Sequence, residues 1–400
     1  MFEARSPFER LRELLSGIEP AMSPIDLAVG NPRHAPPPFV ADVVAANVAG
    51  FGPYPTIAGT ADLQDAMHGW LDRRFALGGL LRDKGAVLPT SGSREGLFFA
   101  AFTARDVLAK ADPVILFANP FYQTYPASAH GIAAHAVPLA AADRPGAVLP
   151  DFDAISPATL DRAIAYFIAS PSNPVGHNCT MADWFHLFDL AERHDFFICA
   201  DECYSELYRA QCGPPPGVLE AARERPTALE RLFVFNSLSK RSNLAGLRFG
   251  LVAGGATPMA AMRQFRNQAA ATVPTPLQAV AAAAYRDEAH VIENRRLYDE
   301  KYVAAQAALG PIFGEVTPRG GFFLWLPVMG DDAAITRALW QEAGVRTVPG
   351  SYLAVGTGDG NPGAGFVRLA LVSPLADVRD ACERLAAFFE RRGSHRTLAP

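Results

Sequence analysis

Between about residues 60 and 255, short apolar runs alternate with stretches of helical length and periodicity, and nothing else in the chain restricts its fold so strongly. Residues 61–75 and 92–108 read as amphipathic helices, and the apolar run 114–117 follows them. The run 163–169 (AIAYFIA), a helix over 181–193, the run 196–200, and two further runs at 232–235 and 247–253 continue the pattern. Apolar runs this short have the length of strands buried on both faces. Strands separated by helices are joined by crossovers rather than hairpins. The alternation therefore predicts an α/β fold whose mainly parallel sheet is flanked by helices.

From about residue 285 the texture changes. A long charged helix covers 288–309, strand-like GGFFLWLPV covers 320–328, a helix covers 333–343 and a strand 365–371, and a last helix runs from about 377 to 391. This reads as a smaller α+β domain over 286–400, beside a large domain over 46–285. Residues 1–45 contain no βαβ unit of their own and are expected to pack with the small domain. A chain of 400 residues is long enough for two such domains.

Ligands of open α/β sheets sit beyond the carboxyl ends of the strands. Here the strand ends are polar. Strand 86–89 runs into Ser91-Gly92-Ser93-Arg94, 114–117 into Asn119-Pro120-Phe121-Tyr122, and 163–169 into Ser170-Pro171-Ser172-Asn173-Pro174. Strand 196–200 ends at Asp201 with Tyr204 shortly after, and 232–235 runs into Ser237-Leu238-Ser239-Lys240. One such ending is ordinary turn chemistry; five point to one shared site.

The residue types suggest what that site holds. Lys240 is one of four lysines; the others, Lys84, Lys110 and Lys301, stand in polar contexts that read as surface. An amine at a strand mouth between small hydroxyl residues suits a Schiff base with an aldehyde cofactor. The helix opening at Ser93 offers free N–H groups to a phosphate, or is a plain serine cap. Arg248 and Ser237 can bind the same phosphate. Asp201 can hold a pyridine nitrogen protonated, and serves equally as a cap for the segment after it. Tyr122 can stack on a flat ring or fill core; Asn173 and Tyr204 can bond a ring hydroxyl. Arg368, inside the apolar strand GFVRLALV, either meets an anion such as a carboxylate or faces water at a strand edge.

Other classes are excluded by composition. A net charge of −5 with scattered arginines argues against nucleic acid and membrane surfaces as partners. Five cysteines with no CxxC pair argue against a zinc site or a disulfide framework, and so for no metal and a cytoplasmic location. Residues 358–363 match GxGxxG, but no strand precedes them and Pro362 breaks any helix there.

Taken in order, these residues resemble the fold-type I, pyridoxal-phosphate-dependent class I/II aminotransferases, over the stretch from VGNPRHAPP (29–37) to VRLALV (367–372). GNPRHAPPPF, SGSREGLF, NPFYQTY, DECYSELY, SLSKRSNLAGLR and PGSYL are most similar to the N-succinyl-diaminopimelate aminotransferase group. The resemblance implies that Lys240 carries the cofactor, that Asp201 faces its pyridine nitrogen, and that Asn173 and Tyr204 face its ring hydroxyl. It implies Tyr122 as the stacking ring and Ser93, Arg94, Ser237 and Arg248 as the phosphate cradle. Arg368 would grip the substrate α-carboxylate, beside Asn173 and the Gly30 backbone. Tyr54 would reach the cofactor of a neighbouring subunit, which implies a homodimer with shared sites. The implied substrates are glutamate and an N-succinylated amino-oxo-pimelate, with Arg33 or Arg94 at the distal group. An acetylornithine or aromatic aminotransferase, a C–S β-lyase and a non-catalytic cofactor-binding regulator are the competing readings.

Overall fold

The computed structural model describes residues 5–143, 146–358 and 360–393. Twelve strands lie among them: β1 (Ile25–Asp26), β2 (Gly85–Thr90), β3 (Val114–Asn119), β4 (His135–Ala140), β5 (Ala163–Ala169), β6 (Phe197–Asp201), β7 (Leu232–Ser237), β8 (Gly250–Gly255), β9 (Phe323–Pro327), β10 (Val345–Arg346), β11 (Val348–Pro349) and β12 (Phe366–Ala370). Seven of them form the central sheet, in the order β2-β8-β7-β6-β5-β3-β4. Every neighbouring pair is parallel except those of β8, which runs against both β2 and β7. The sheet is thus mainly parallel, as the alternation of elements predicts.

Alternate side chains of the central strands feed two separate cores. Tyr166, Ile168, Ile198, Ala200, Leu232 and Val234 enter one, with Trp70 and Trp184. Ala165, Phe167, Phe197, Cys199, Phe233 and Phe235 enter the other, with Leu97 and Ala101 from the helix Ser93–Leu108. A period of two with both faces apolar is why these strands read as unbroken hydrophobic runs. The edge strand β4 has no such run; its HAVPLA is half-exposed, and the apolar pattern does not mark it. Nor does the pattern mark the helices Ala256–Ala269 and Thr275–Arg286, which fill the chain between β8 and the α+β portion.

A third core gathers the C-terminal elements. The helices Ala289–Phe313 and Leu375–Arg392 pack with the antiparallel sheet β11-β12-β9 around Phe322, Leu324, Val367, Leu369, Phe388 and Phe389. Residues 1–45 divide between the cores. β1 pairs with β10, and Leu11 and Ala28 pack with Val348 and Leu353. The helix Val40–Ala46, in contrast, lays Val40, Val43 and Val44 on the first core of the large sheet. Residues 1–4 and 394–400 of the two terminal segments, and Asp359 of the GxGxxG match, lie outside the described residues.

Candidate active site

Strand register assembles the site. Gly250 pairs with Thr90 on one side and with Ser237 on the other, so the end of β2 and the end of β7 meet at the start of β8. That junction brings together Ser93, Ser237 and Arg248. On the other flank Asp201 pairs with Ala169 and with Phe235, which sets the end of β6 in the middle of the sheet. The chain leaves β3 and β5 through cis peptides before Pro120, Pro171 and Pro174.

A cavity of ≈ 660 Å³ opens over these strand ends. Gly30, Ser93, Arg94, Tyr122, Asn173, Asp201, Tyr204, Ser237, Lys240, Arg248 and Arg368 all line it. Tyr54 does not: it is fully exposed, at 101%. Arg33 is also outside the lining, and its Nη1 donates to Ser373 Oγ at 3.1 Å. Of the two arginines considered for the distal group, Arg94 alone faces the cavity.

One end of the cavity is built for an anion. The helix Ser93–Leu108 points its N-terminus at it, with free N–H groups and the positive end of its dipole. Gly92 has φ +85, and a Cβ on it would meet Arg248 Nη2 at 2.5 Å, so glycine is what lets the guanidinium close on the helix terminus. Ser237 Oγ accepts from Ser239 N at 3.1 Å and holds the next turn beside them. Arg248 itself sits in the left-handed region at φ 56.

In the middle lies a buried carboxylate. Asp201 is 6% exposed. Its Oδ2 accepts from Tyr125 OH at 3.1 Å and its Oδ1 from Cys203 N at 3.3 Å. Burial raises its pKa, and those bonds oppose the rise only in part. Such a group calls for a cationic partner inside the cavity. Tyr125 was not expected here. The motif NPFYQTY contains it, but its spacing from Tyr122 gave no sign that it would reach Asp201.

Lys240 stands between these features and the clamp. Its Nζ donates to Gly30 O at 2.8 Å and lies 5.6 Å from the Phe322 ring centroid. Burial lowers its pKa to about 8; Arg368 and Arg248 act the same way, against Cys203 and Asp201. Tyr204 lies edge-on to Phe322 and Phe323, and burial pushes its hydroxyl well above the ordinary range. Arg94 Nε donates to Tyr122 OH at 2.6 Å and so steers the ring expected to stack. Arg368 is 3% exposed, and its Nε has no partner among the described residues.

An anion cradle, an unpaired buried carboxylate and an amine kept near neutrality fit a phosphorylated pyridine aldehyde group by group. No cluster of possible metal ligands occurs among the described residues, and no described helix is long and apolar enough to cross a membrane.

Comparison with known proteins agrees. The profile of the family "Aminotransferase class I and II" matches residues 23–385. An LL-diaminopimelate aminotransferase of Dehalococcoides mccartyi is 30% identical over 376 residues, 91% of each chain. An aminotransferase structure from Neisseria meningitidis superposes with a TM-score of 0.89 at 36% identity, covering 96% of this chain and 98% of that one. A probable N-succinyldiaminopimelate aminotransferase from Thermus thermophilus has the same fold at 24% identity, with a TM-score of 0.81 and coverage of 96% and 100%. Fold, cavity and sequence therefore converge: the chain belongs to the class I and II aminotransferases, pyridoxal-phosphate-dependent enzymes of fold type I.

Proposed function

We propose that this aminotransferase moves the amino group reversibly between glutamate and N-succinyl-2-amino-6-oxopimelate, in diaminopimelate and lysine synthesis. The observation that carries the reading is Lys240. Its amine, pushed to about 8 by burial, lies in one cavity with Asp201 and Arg368.

Ser93, Arg94, Ser237 and Arg248 would hold the phosphate, Asp201 the pyridine nitrogen, Asn173 and Tyr204 the ring hydroxyl, and Tyr122 the ring face. Bound pyridoxal phosphate supplies an electron sink for the charge that develops at the substrate Cα. Asp201, which has no salt-bridge partner among the described residues, would keep the pyridine nitrogen protonated. Arg368 receives the α-carboxylate common to both substrates; its Nε has no partner among the described residues. Lys240 would take the proton from the substrate Cα and deliver it to the cofactor's aldehyde carbon, which needs a neutral amine near the working pH. Gly30 O, at 2.8 Å from Nζ, orients that amine. Of Arg33 and Arg94 only Arg94 lines the cavity, so the distal succinyl carboxylate would have to share this guanidinium with the phosphate.

The motif stretches support the acylated substrate. The Dehalococcoides relative's name favours a second reading, in which unacylated LL-diaminopimelate is the amino compound. Turnover of N-succinyl-LL-2,6-diaminopimelate and of LL-diaminopimelate, each with 2-oxoglutarate, separates them: a higher kcat/KM for the unacylated compound sinks the first reading. Borohydride reduction and peptide mapping test the site itself, and a label anywhere but Lys240 removes it.

The working unit in this reading is a homodimer. Tyr54 is fully exposed beside Phe51 and Val48, 53% and 56% exposed, and a second copy covering them would bring Tyr54 to its neighbour's cavity. Sedimentation as a monomer at micromolar concentration would count against it.

A further inference from the structure

Lys301 does not lie at the surface. It is 2% exposed, on the inner side of the helix Ala289–Phe313. Its Nζ is 2.6 Å from His34 Nε2 and 4.9 Å from the Tyr298 ring centroid. An ammonium can only donate, so Nε2 accepts and the imidazole proton resides on Nδ1. Nδ1 then donates to Asn294 Oδ1 at 2.7 Å. That oxygen also accepts from Asn243 Nδ2 at 3.1 Å, which fixes the amide's orientation. Asn294 Nδ2 is left to donate to two carbonyls, Lys240 O at 3.2 Å and Arg241 O at 3.4 Å. The chain of donors closes in one direction only, from Lys301 to the backbone of Lys240.

The same stretch of chain touches the other end of that lysine. Gly30 O accepts from Lys240 Nζ at 2.8 Å, and Ala28 O accepts from Arg368 Nη2 at 2.8 Å. Residues 28–34 therefore form a strap that meets the amine directly and the lysine backbone through His34 and Asn294. We propose that His34 is a positioning residue for Lys240: locked in its Nδ1–H form by Lys301 and acting through Asn294, it fixes the turn Leu238–Arg241 and fastens the strap to it. This rests on Lys240 being the reactive amine.

Burial lowers the pKa of both ends of the latch. For His34, Asn294 and Glu293 oppose the burial and Lys301 adds to it; for Lys301, brought to about 8, Arg33 adds to it. A neutral His34 facing an ammonium is thus the state between the imidazole's own lowered pKa and about 8.

The test uses the holoenzyme and the variants His34→Leu, His34→Asn and Lys301→Met. His34→Leu should lower kcat about 10- to 100-fold, the cost of a slightly misplaced reacting group. Its KM for glutamate should stay within about threefold, because Arg368 keeps its place in β12 and its bond to Asn173 even when the strap loosens. The pH midpoint of the cofactor's absorbance should shift with it. His34→Asn, whose Nδ2 stands about where Nδ1 stood, should restore most of kcat and the midpoint. Nitrogen NMR of the unaltered protein should show His34 as the Nδ1–H tautomer, and Lys301→Met should give a mixture. An Nε2–H tautomer in the unaltered protein overturns the proposal. So does a His34→Leu enzyme with kcat within about twofold of the parent and an unmoved midpoint. If His34→Leu does not fold, the tautomer and Lys301→Met decide. Borohydride labelling of Lys240 in the unaltered protein is independent of all these, so failure of the latch and failure of the site are told apart.

Discussion

Arg368 Nη1 donates to Asn173 Oδ1 at 3.2 Å and so joins β12 of the small antiparallel sheet to the turn after β5 of the large one. The guanidinium also lies 4.4 Å from the Phe323 ring centroid, and burial lowers its pKa to about 10. A cation held dry, with Nε unpaired, is a site waiting for a carboxylate. Lysine keeps the charge but not the fork. Arg368→Lys should raise KM for glutamate about 10- to 100-fold, the worth of one charge-assisted bond at about 1.5–3 kcal/mol. Cofactor absorbance should be retained. An unchanged KM would remove Arg368 from the carboxylate.

The amine of Lys240 should titrate early. Its ordinary value is 10.5 and burial brings it to about 8, so in the cofactor-free protein it is half neutral where an exposed lysine is still charged. Acylation of Lys240 in that protein, followed by peptide mapping across pH, should rise with a midpoint near 8. A midpoint near the ordinary 10.5 would contradict the burial argument.

Much of this site is legible in the sequence because each residue stands at the end of an apolar run. Asp201, Ser237 and Asn119 end or follow strands whose buried faces are unmistakable, and the fold does the rest by register. Arg368 is legible for the opposite reason, a charge within an apolar strand. What escapes is whatever depends on a partner distant in sequence. Lys301 stands in a charged helix and reads as solvated; only the packing of residues 28–34 against that helix buries it. Tyr125 reads as one aromatic among several until β6 brings Asp201 to its hydroxyl. β4 fails for want of a contrast, since an edge strand needs no continuous apolar run.

Gly92 and Gly246 offer a matched pair of substitutions near the phosphate cradle. A Cβ at Gly92 would be strained by φ +85 and would strike Arg248 Nη2 at 2.5 Å, whereas at Gly246 it would meet nothing within 4 Å. Gly92→Ala should weaken pyridoxal phosphate binding about tenfold or more, since the new Cβ would push Arg248 aside and cost a charge-assisted bond of about 1.5–3 kcal/mol. Gly246→Ala should leave it unchanged. Fluorescence titration of the cofactor-free proteins measures both. Equal affinities would mean that Arg248 does not need this approach to the helix terminus.

Glu202, next to Asp201, carries a pH dependence that the chemistry does not use. It is 2% exposed, and its Oε1 accepts from Val218 N at 2.6 Å. Burial raises its pKa from 4.5 to about 7; the Val218 bond and Arg74 oppose this, while Glu220 and Glu206 add to it. Between those two values the folded chain holds a proton that the unfolded chain releases. The unfolded state therefore binds fewer protons, and this group's contribution to stability falls as pH rises through the window. Glutamine keeps the oxygen for Val218 and cannot ionise. Glu202→Gln should remove part of the decline and, above pH 7, stabilise the cofactor-free protein on the order of 1 kcal/mol. Denaturant unfolding of parent and variant across the window measures the difference. A parent curve that rises between pH 4.5 and 7 relative to the variant's would reverse the sign and show that Glu202 is held ionised, with Arg74 outweighing the burial.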